Sequence, residues 1–161
     1  MSTGKTPDSG ERAGGGANGG HRCLAVGYDR TDGSRRAVSW AASQLQPDGK
    51  LVIVHAGKPL HAPPSPLTTH DERAELGRAM IDELLLEGDD SLRDLELAAE
   101  ILDRDPVSAL VDAATRHNAS AIVIGHERHS ALHRALGVLT SELIDASPVP
   151  VIAIPPSSPV D

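Results

Sequence analysis

The sequence predicts an α/β fold, an open five-stranded parallel sheet with helices on both faces, of the Rossmann-like type. Short apolar runs alternate with segments of helical periodicity in the order β-α-β-α-β-α-β-α-β, which is typical of a parallel sheet with helical connections. Residues 51–55, Leu-Val-Ile-Val-His, are apolar at consecutive positions, as expected of a strand covered on both faces. The hydrophobic share of 39% suffices for a core, and the aromatic share of 1% makes that core aliphatic.

The length of 161 residues indicates a single domain. Residues 1–20 are rich in Gly, Ser, Thr and charged residues and lack apolar periodicity, so we expect a disordered N-terminal tail. Residues 21–155 contain all the predicted helices and strands and form the expected domain. Residues 156–161 are expected to be a short, frayed C-terminal tail.

The first half of the domain contains two predicted strands and the helix between them. Residues 22–28 form the first strand, and residues 51–55 form the second. Residues 32–34, Asp-Gly-Ser, supply turn and N-cap chemistry for the helix, and residues 47–49, Pro-Asp-Gly, stop it. Residues 57–68 contain many prolines and are expected to form a loop.

The second helix and the third strand follow this loop. Thr69 and Glu72 have the spacing of a capping box, in which each residue's side chain bonds the other's backbone N–H. The helix is expected to end near Gly88, and residues 95–102 form the third and most polar strand.

The last part of the domain completes the alternation. Asp105 and Pro106 provide an N-cap and a first-turn proline for the third helix, and Asn118 is its expected stop. The remaining predicted elements are strand four at 121–124, a polar connection at 125–137 with some helical content, a helix near 139–146, and strand five at 149–154.

Composition and charge argue against several classes of function. A formal net charge of −8 opposes binding to nucleic acid or to an anionic membrane surface. The single cysteine, Cys23, allows no intramolecular disulfide. No apolar run approaches the roughly 18 residues of a membrane span, and the N-terminus lacks the apolar stretch of a signal peptide. We therefore expect a cytoplasmic protein with neither a nucleic-acid nor a membrane partner.

A ligand site is expected beyond the carboxyl ends of the strands, where the strand order of such a sheet reverses. The natural candidates are the loops after strand one, with Asp29 and Thr31, and after strand four, with Gly125. A carboxylate at the first loop can accept hydrogen bonds from a ribose, and helix-start amides after strand four can hold phosphates. The alternative is that Asp29 only shapes a turn and that Gly125 only permits a tight one.

Other clusters of reactive residues give weaker indications of function. His126, His129 and His133 could place two imidazoles one helical turn apart, but a polar surface segment explains them better, because nothing supplies a clear second shell, and no metal is expected. Cys23 lies in an apolar strand and is expected to be buried and inert. Nucleophile-elbow, Walker and dinucleotide-binding sequences are absent, so the sequence predicts that the protein is not an enzyme and has no catalytic residues.

Five segments together resemble the universal stress protein family, in order and with plausible spacing over residues 22–155. They are residues 26–41 (VGYDRTDGSRRAVSWA), 51–56 (LVIVHA), 105–110 (DPVSAL), 119–125 (ASAIVIG) and 147–154 (SPVPVIAI). The resemblance implies the spatial strand order 3-2-1-4-5. It also implies an adenine nucleotide, ATP or AMP, as a ligand.

Family members that bind ATP have a phosphate loop of the form G-x2-G-x9-G-[ST], and this chain departs from it. Gly125 matches the first glycine, whereas Arg128 stands at the second. Gly137 matches the third if the loop is one residue shorter, and Val138 then replaces the Ser or Thr. A degraded loop of this kind predicts weak nucleotide binding. The resemblance implies a site made of Asp29, Thr31, Val54, Gly125, Arg128, Gly137, Thr140 and Ser141.

Three functions follow from this resemblance. The first is a regulatory module in stress response that acts through an unidentified protein partner, with weak or altered nucleotide binding. The second is a genuine ATP- or AMP-binding sensor, in which Arg128 and Thr140 compensate for the missing loop residues. The third is a nucleotide-hydrolysing or nucleotidyl-transfer enzyme, which the lack of a recognisable general base weakens.

The two edge strands of the implied sheet differ in polarity. Strand three carries Glu96 and Glu100, whereas strand five, at residues 149–154, is almost wholly apolar. An apolar edge is better explained by a partner than by solvent, and family members commonly dimerise through their last strand. We therefore expect a two-fold symmetric homodimer in which the two copies of strand five meet antiparallel. The alternative is that the C-terminal tail folds back over this edge.

Overall fold

The segments with hydrophobic periodicity form a sheet and two helical layers in the computed structural model. The structure describes residues 21–57, 69–87, 90–126 and 133–157. The predicted N-terminal tail at 1–20, most of the predicted loop at 57–68, and residues 158–161 lie outside the described residues. The elements are β1 (His21–Gly27), α1 (Asp32–Gln44), β2 (Leu45–Ala56), α2 (His70–Leu86), a short 3₁₀ helix (Asp90–Leu92), β3 (Glu96–Leu102), α3 (Pro106–Arg116), β4 (Ile122–Gly125), α4 (His133–Ala146) and β5 (Val151–Ile154).

The five strands form one parallel sheet in the order β3-β2-β1-β4-β5. This order confirms the fold class and the topology that the family resemblance implies. The central strand β1 has β2 on one side and β4 on the other, so the chain reverses its direction of winding between these two neighbours. The carboxyl ends of β1 and β4 therefore lie side by side at the edge where such folds bind ligands.

Each face of the sheet buries its own aliphatic layer. Successive residues of β1 alternate between the two layers: Leu24 and Val26 pack on the side of α1 and α2, whereas Ala25 packs on the side of α3. The same alternation occurs in the second strand, where Leu51 and Val52 point to opposite sides. Both faces are covered, as the continuous apolar run of the second strand predicts.

Local capping sequences predict the helix boundaries most accurately. Thr69 and Glu72 form the predicted capping box: the Thr69 N–H donates to the Glu72 carboxylate at 2.7 Å, and the Glu72 N–H donates to Thr69 Oγ1 at 3.2 Å. At α3, the carboxylate of Asp105 accepts the N–H of Ser108 at 3.1 Å, and proline occupies the first turn. Asn118, the predicted stop, follows this helix with a left-handed φ of 51°.

The starts of β2 and α4 lie earlier than predicted. Strand β2 begins at Leu45, directly after α1, and its register with β1 is irregular before Lys50. Asp48, with φ of 63°, lies in this irregular part, so the Pro-Asp-Gly sequence bends a strand that already follows the helix. Helix α4 begins at His133, six residues before 139, because a glycine within a helix costs only about 1 kcal/mol and does not end it.

The last strand is shorter than predicted. It begins at Val151 instead of 149, because Ser147 organises a turn with Val149: the Ser147 hydroxyl donates to the Val149 carbonyl at 2.7 Å and accepts its N–H at 3.2 Å. Pro150 lacks an N–H, yet its carbonyl accepts the N–H of Ile122 at 2.9 Å and leads the chain into the sheet. In the parts of the chain that the structure describes, no helix combines the length and apolar character that crossing a membrane requires.

Candidate functional site

The turn after β1 is held by a closed set of hydrogen bonds. The Asp29 carboxylate oxygen Oδ1 accepts the backbone N–H of Thr31 at 3.1 Å and its hydroxyl at 2.5 Å. Thr31 is the N-cap of α1, and its Oγ1 accepts the N–H of Ser34 at 3.2 Å. The Ser34 hydroxyl donates back to the Thr31 carbonyl at 3.0 Å. These bonds fix the direction of the exposed Asp29 carboxylate and confirm that it shapes the turn.

Gly125, the last residue of β4, lies against the start of α1. A Cβ added at Gly125 would overlap the carbonyl group of Gly33 and lie 2.8 Å from the backbone nitrogen of Ser34. Because these are backbone atoms of the first turn of a helix, they cannot rotate away as a side chain can. The glycine is therefore required for the close approach of β4 to α1, which brings the loops after β1 and β4 together.

The chain leaves β4 through two further anchors. The His126 N–H donates to the Ile154 carbonyl of β5 at 2.9 Å. The guanidinium of Arg36, on α1, donates to the His126 carbonyl at 2.9 Å. Arg36 is half-buried, so it places a positive charge where the connection to α4 begins. Arg36 could not be predicted from the sequence, because its position shows only a helical residue and gives no information about a contact 90 residues away.

The end of β2 closes the site on the other side of β1. Val54 is buried on the α3 side of the sheet, and its carbonyl accepts the N–H of Tyr28 at 2.9 Å. The next residue, His55, contacts the Tyr28 carbonyl through Nδ1 at 2.9 Å, a bond that requires the proton on Nδ1. Val54 therefore supports the floor of the site through packing. His55 fixes the end of β1, and the sequence did not indicate this role.

Three of the predicted site residues lie on α4. Gly137, Thr140 and Ser141 have the spacing of one helix face. An added Cβ at Gly137 would have no atom within 4 Å, so no packing requires this glycine. Thr140 is half-buried and Ser141 is exposed, and Val138 beside them is 46% exposed. The structure thus brings Asp29, Thr31 and Gly125 together. It places the other three, Gly137, Thr140 and Ser141, on a separate element.

Two sequence predictions fall wholly or partly outside the described residues. Arg128, the residue at the second glycine position of the loop, is one of them. The histidine cluster is the other, since His129 and the side chain of His133 are not described. Among the residues that are described, no group of three His, Cys, Asp or Glu side chains could hold a metal ion.

An open groove of about 450 Å³ lies away from this site. Five aliphatic side chains and one arginine line it: Ile81, Leu85, Leu92, Arg93, Leu95 and Leu97. Because Leu97 lies at the beginning of β3 and Leu95 directly precedes this strand, the groove is near the amino ends of the strands. It therefore cannot contribute to the site formed by the loops after β1 and β4.

Comparison with known proteins gives a consistent result. The family model described as the universal stress protein family matches residues 22–155. A universal stress protein solved in complex with cAMP is 24% identical, with 84% of this chain and 97% of that chain covered and a TM-score of 0.53. A universal stress protein from Archaeoglobus fulgidus, solved in complex with dAMP, is 23% identical, with 81% and 95% covered and a TM-score of 0.53.

A third solved structure, a universal stress protein family protein from Arabidopsis thaliana with AMP bound, is 17% identical, with 84% and 92% covered and a TM-score of 0.53. No curated protein sequence matches the chain. At these identities the solved structures support the fold, and the family model extends over most of the chain with the strand order that the resemblance implies. The chain therefore belongs to the universal stress protein family.

Proposed function

We propose that this protein is a non-enzymatic, cytoplasmic regulatory module of stress response that binds adenine nucleotides weakly and acts through a protein partner. The observation that carries the proposal is the contact of Gly125 with Gly33 and Ser34, which joins the loops after β1 and β4 at the point where the sheet reverses. Three similar solved proteins are described with cAMP, dAMP or AMP bound, which supports an adenine nucleotide, AMP or ATP, as the ligand class.

The proposed site divides the ligand between the two loops. The Asp29 oxygen Oδ1 is used by Thr31, so the second oxygen, Oδ2, is the atom that accepts a ribose hydroxyl. Val54 packs beneath the part of the site that receives the adenine base. The phosphates extend toward the connection after Gly125, where Arg36 and Arg128 supply positive charge and Thr140 and Ser141 supply hydroxyl groups.

Weak binding follows from the chemistry of the loop. Val138 stands where the family pattern has Ser or Thr, and a hydrocarbon side chain cannot donate a hydrogen bond to a phosphate. Arg128 has a Cβ, which restricts the backbone conformations that glycine reaches easily. Arg128 contributes charge but loses the close backbone approach that a glycine permits, so triphosphate gains little over monophosphate.

Titration calorimetry with ATP, AMP and adenosine tests the proposal. We expect an ATP dissociation constant above about 1 μM, which corresponds to roughly −8 kcal/mol. The double variant Arg128→Gly with Val138→Ser should bind ATP more tightly, since it restores the family pattern. Ile144→Ser, which replaces another exposed apolar residue of α4, is the matched control and should leave the affinity unchanged. An unchanged affinity in the double variant would contradict the proposed alignment.

Two other functions give different results in the same samples. A genuine ATP or AMP sensor would bind submicromolar ATP and retain nucleotide through purification, which native mass spectrometry of the purified protein detects. A nucleotide-hydrolysing enzyme would release product from ATP at a rate that scales with protein concentration. The regulatory module predicts neither result.

The proposal includes a homodimer through β5. This strand lies at the edge of the sheet beside β4, and three of its four residues are half-buried while Ala153 is exposed. Ile144, on the neighbouring helix α4, is 59% exposed. Apolar groups next to unpaired strand edges favour association with a second copy.

A further inference from the structure

A network of four charged side chains joins the turn after β1 to the end of α2. Arg30 Nε lies 3.0 Å from Glu83 Oε2, and Arg35 binds Glu87 through Nε and Nη2, each at 3.0 Å from one carboxylate oxygen. Arg35 Nη2 also lies 3.7 Å from Glu83 Oε1. We call these four residues the Arg–Glu network. The paired residues are 48 to 53 positions apart in the sequence, so the network links segments that have no local connection.

The network holds a residue whose backbone conformation is unfavourable. Arg30 has φ of 66°, a left-handed conformation that costs free energy for any residue with a Cβ. Two bonds keep it there: its guanidinium pairs with Glu83, and its carbonyl accepts a hydrogen bond from Arg35. Arg30 lies between Asp29 and Thr31, so the direction of the Asp29 carboxylate depends on this conformation.

Helix α2 benefits from the same contacts. Glu83 and Glu87 lie at its C-terminal end, where the last turn has no basic residue. Carboxylates at this end of a helix face the negative pole of the helix dipole and are unfavourable without a cation. Arg30 and Arg35 supply the cations. The hydrogen bond with Arg35 lowers the pKa of Glu87, and the same bond raises the pKa of Arg35.

A buried hydroxyl next to the network lacks a partner. Tyr28 is only 2% exposed, and its hydroxyl has no hydrogen bond among the described residues. Burial raises the pKa of Tyr28, and the charges of Arg35, Glu83, Glu87 and Arg30 act on it less strongly.

We infer that the Arg–Glu network positions the turn after β1, so that Glu83 and Glu87 on α2 set the affinity of the proposed site for the nucleoside part of its ligand. This inference rests on the proposed function. By linkage, a ligand that binds Asp29 and requires the left-handed conformation of Arg30 stabilises the Arg–Glu network and the end of α2. The end of α2 is therefore the element that reports occupancy of the site.

Salt dependence of adenosine binding tests the inference, because adenosine is uncharged and its own contacts with the protein are not ion pairs. In the wild type, exposed pairs weaken with salt, so we expect the adenosine dissociation constant to rise about fivefold between about 50 mM and 500 mM NaCl. The double variant Glu83→Gln with Glu87→Gln should bind weakly at both salt concentrations. Glu96→Gln, which removes the 3.2 Å pair with Lys50 on the far strands, is the matched control and should behave as the wild type.

Hydrogen exchange of the ligand-free protein separates this inference from the proposed function. The Thr31 N–H donates to Asp29, and its exchange should be at least about tenfold faster in the double variant. The Val52 amide in the sheet should be unchanged, which excludes general unfolding. If the wild type binds neither adenosine nor AMP nor ATP, the proposed function fails while the exchange result still decides the inference. Equal Thr31 exchange in the wild type and the double variant would overturn the inference.

Discussion

Gly125 is the residue at which the fold and the candidate site depend on a single missing atom. A methyl group there would overlap backbone atoms of the first turn of α1. Gly137 belongs to the same family pattern, but an added methyl group would meet no atom within 4 Å. Two glycines that look equivalent in the sequence therefore have different physical roles.

The substitution Gly125→Ala should destabilise the protein by about 2 kcal/mol or more, because overpacking against a rigid backbone forces β4 and α1 apart. Gly137→Ala is the matched control and should stabilise by roughly 0.5–1 kcal/mol, because alanine loses less backbone entropy in a helix. Urea unfolding of both variants measures the free energies. Equal effects of the two substitutions would contradict the contact between Gly125 and Gly33.

The Tyr28 hydroxyl gives a second prediction at the scale of one residue. A buried polar group without a partner costs about 1–3 kcal/mol, and phenylalanine keeps the packing without that cost. Tyr28→Phe should therefore be neutral or more stable than the wild type by roughly 1 kcal/mol in urea unfolding. A loss of stability would mean that the hydroxyl has a partner in solution. Trp40→Phe, at a half-buried ring on α1, shows the effect of changing an aromatic residue without removing a hydroxyl.

At the scale of elements, short-range chemistry could be predicted and long-range chemistry could not. The capping residues Thr69 and Asp105 were predictable because the atoms they bond lie three residues away. The earlier starts of β2 and α4 were not, since an irregular strand and an interior glycine interrupt the periodicity on which the prediction depends. For the site, the sequence indicated Gly125 but not its contact with Gly33, which is the reason that a glycine is required there. That contact depends on how β4 packs against α1.

The N-cap of α3 gives a prediction about pH. Partial burial raises the pKa of Asp105, but hydrogen bonds from Ser108 and nearby backbone N–H groups outweigh it, so the pKa is lowered. A carboxyl group whose pKa is lowered in the folded state stabilises the protein at pH values above the group's ordinary pKa of 3.8. That stabilisation is lost as the pH falls through the pKa of the folded state.

The variant Asp105→Ala should therefore lose about 1 kcal/mol at pH 7, and the difference from the wild type should shrink as the pH falls below 3.8. Asp105→Asn keeps an uncharged cap and is the control, because its stability relative to Asp105→Ala should not vary with pH in this range. Urea unfolding at several pH values provides the measurement. A constant difference between the wild type and Asp105→Ala at all pH values would show that the charge does not contribute.

At the scale of the whole molecule, the two edges of the sheet have different character. Strand β3 carries two carboxylates with polar partners: Glu96 binds Lys50 at 3.2 Å, and Glu100 binds His117 at 2.7 Å and Arg116 at 3.3 Å. These contacts oppose the addition of another strand. Strand β5 has only aliphatic side chains. The charge of −8 keeps whole molecules apart, so association requires a specific apolar edge, and β5 is the edge that offers one.

The dimer through β5 is tested by Ala153→Glu. Ala153 is exposed, so the substitution leaves the monomer's core intact, but in a two-fold dimer it brings two carboxylates together near the axis, where like charges repel. Light scattering at tens of micromolar should show a dimer for the wild type and a monomer for the variant. Leu76→Glu changes an exposed apolar residue on α2 and should remain dimeric. A monomeric wild type that becomes dimeric when residues 156–161 are deleted would instead show that the C-terminal tail covers the edge.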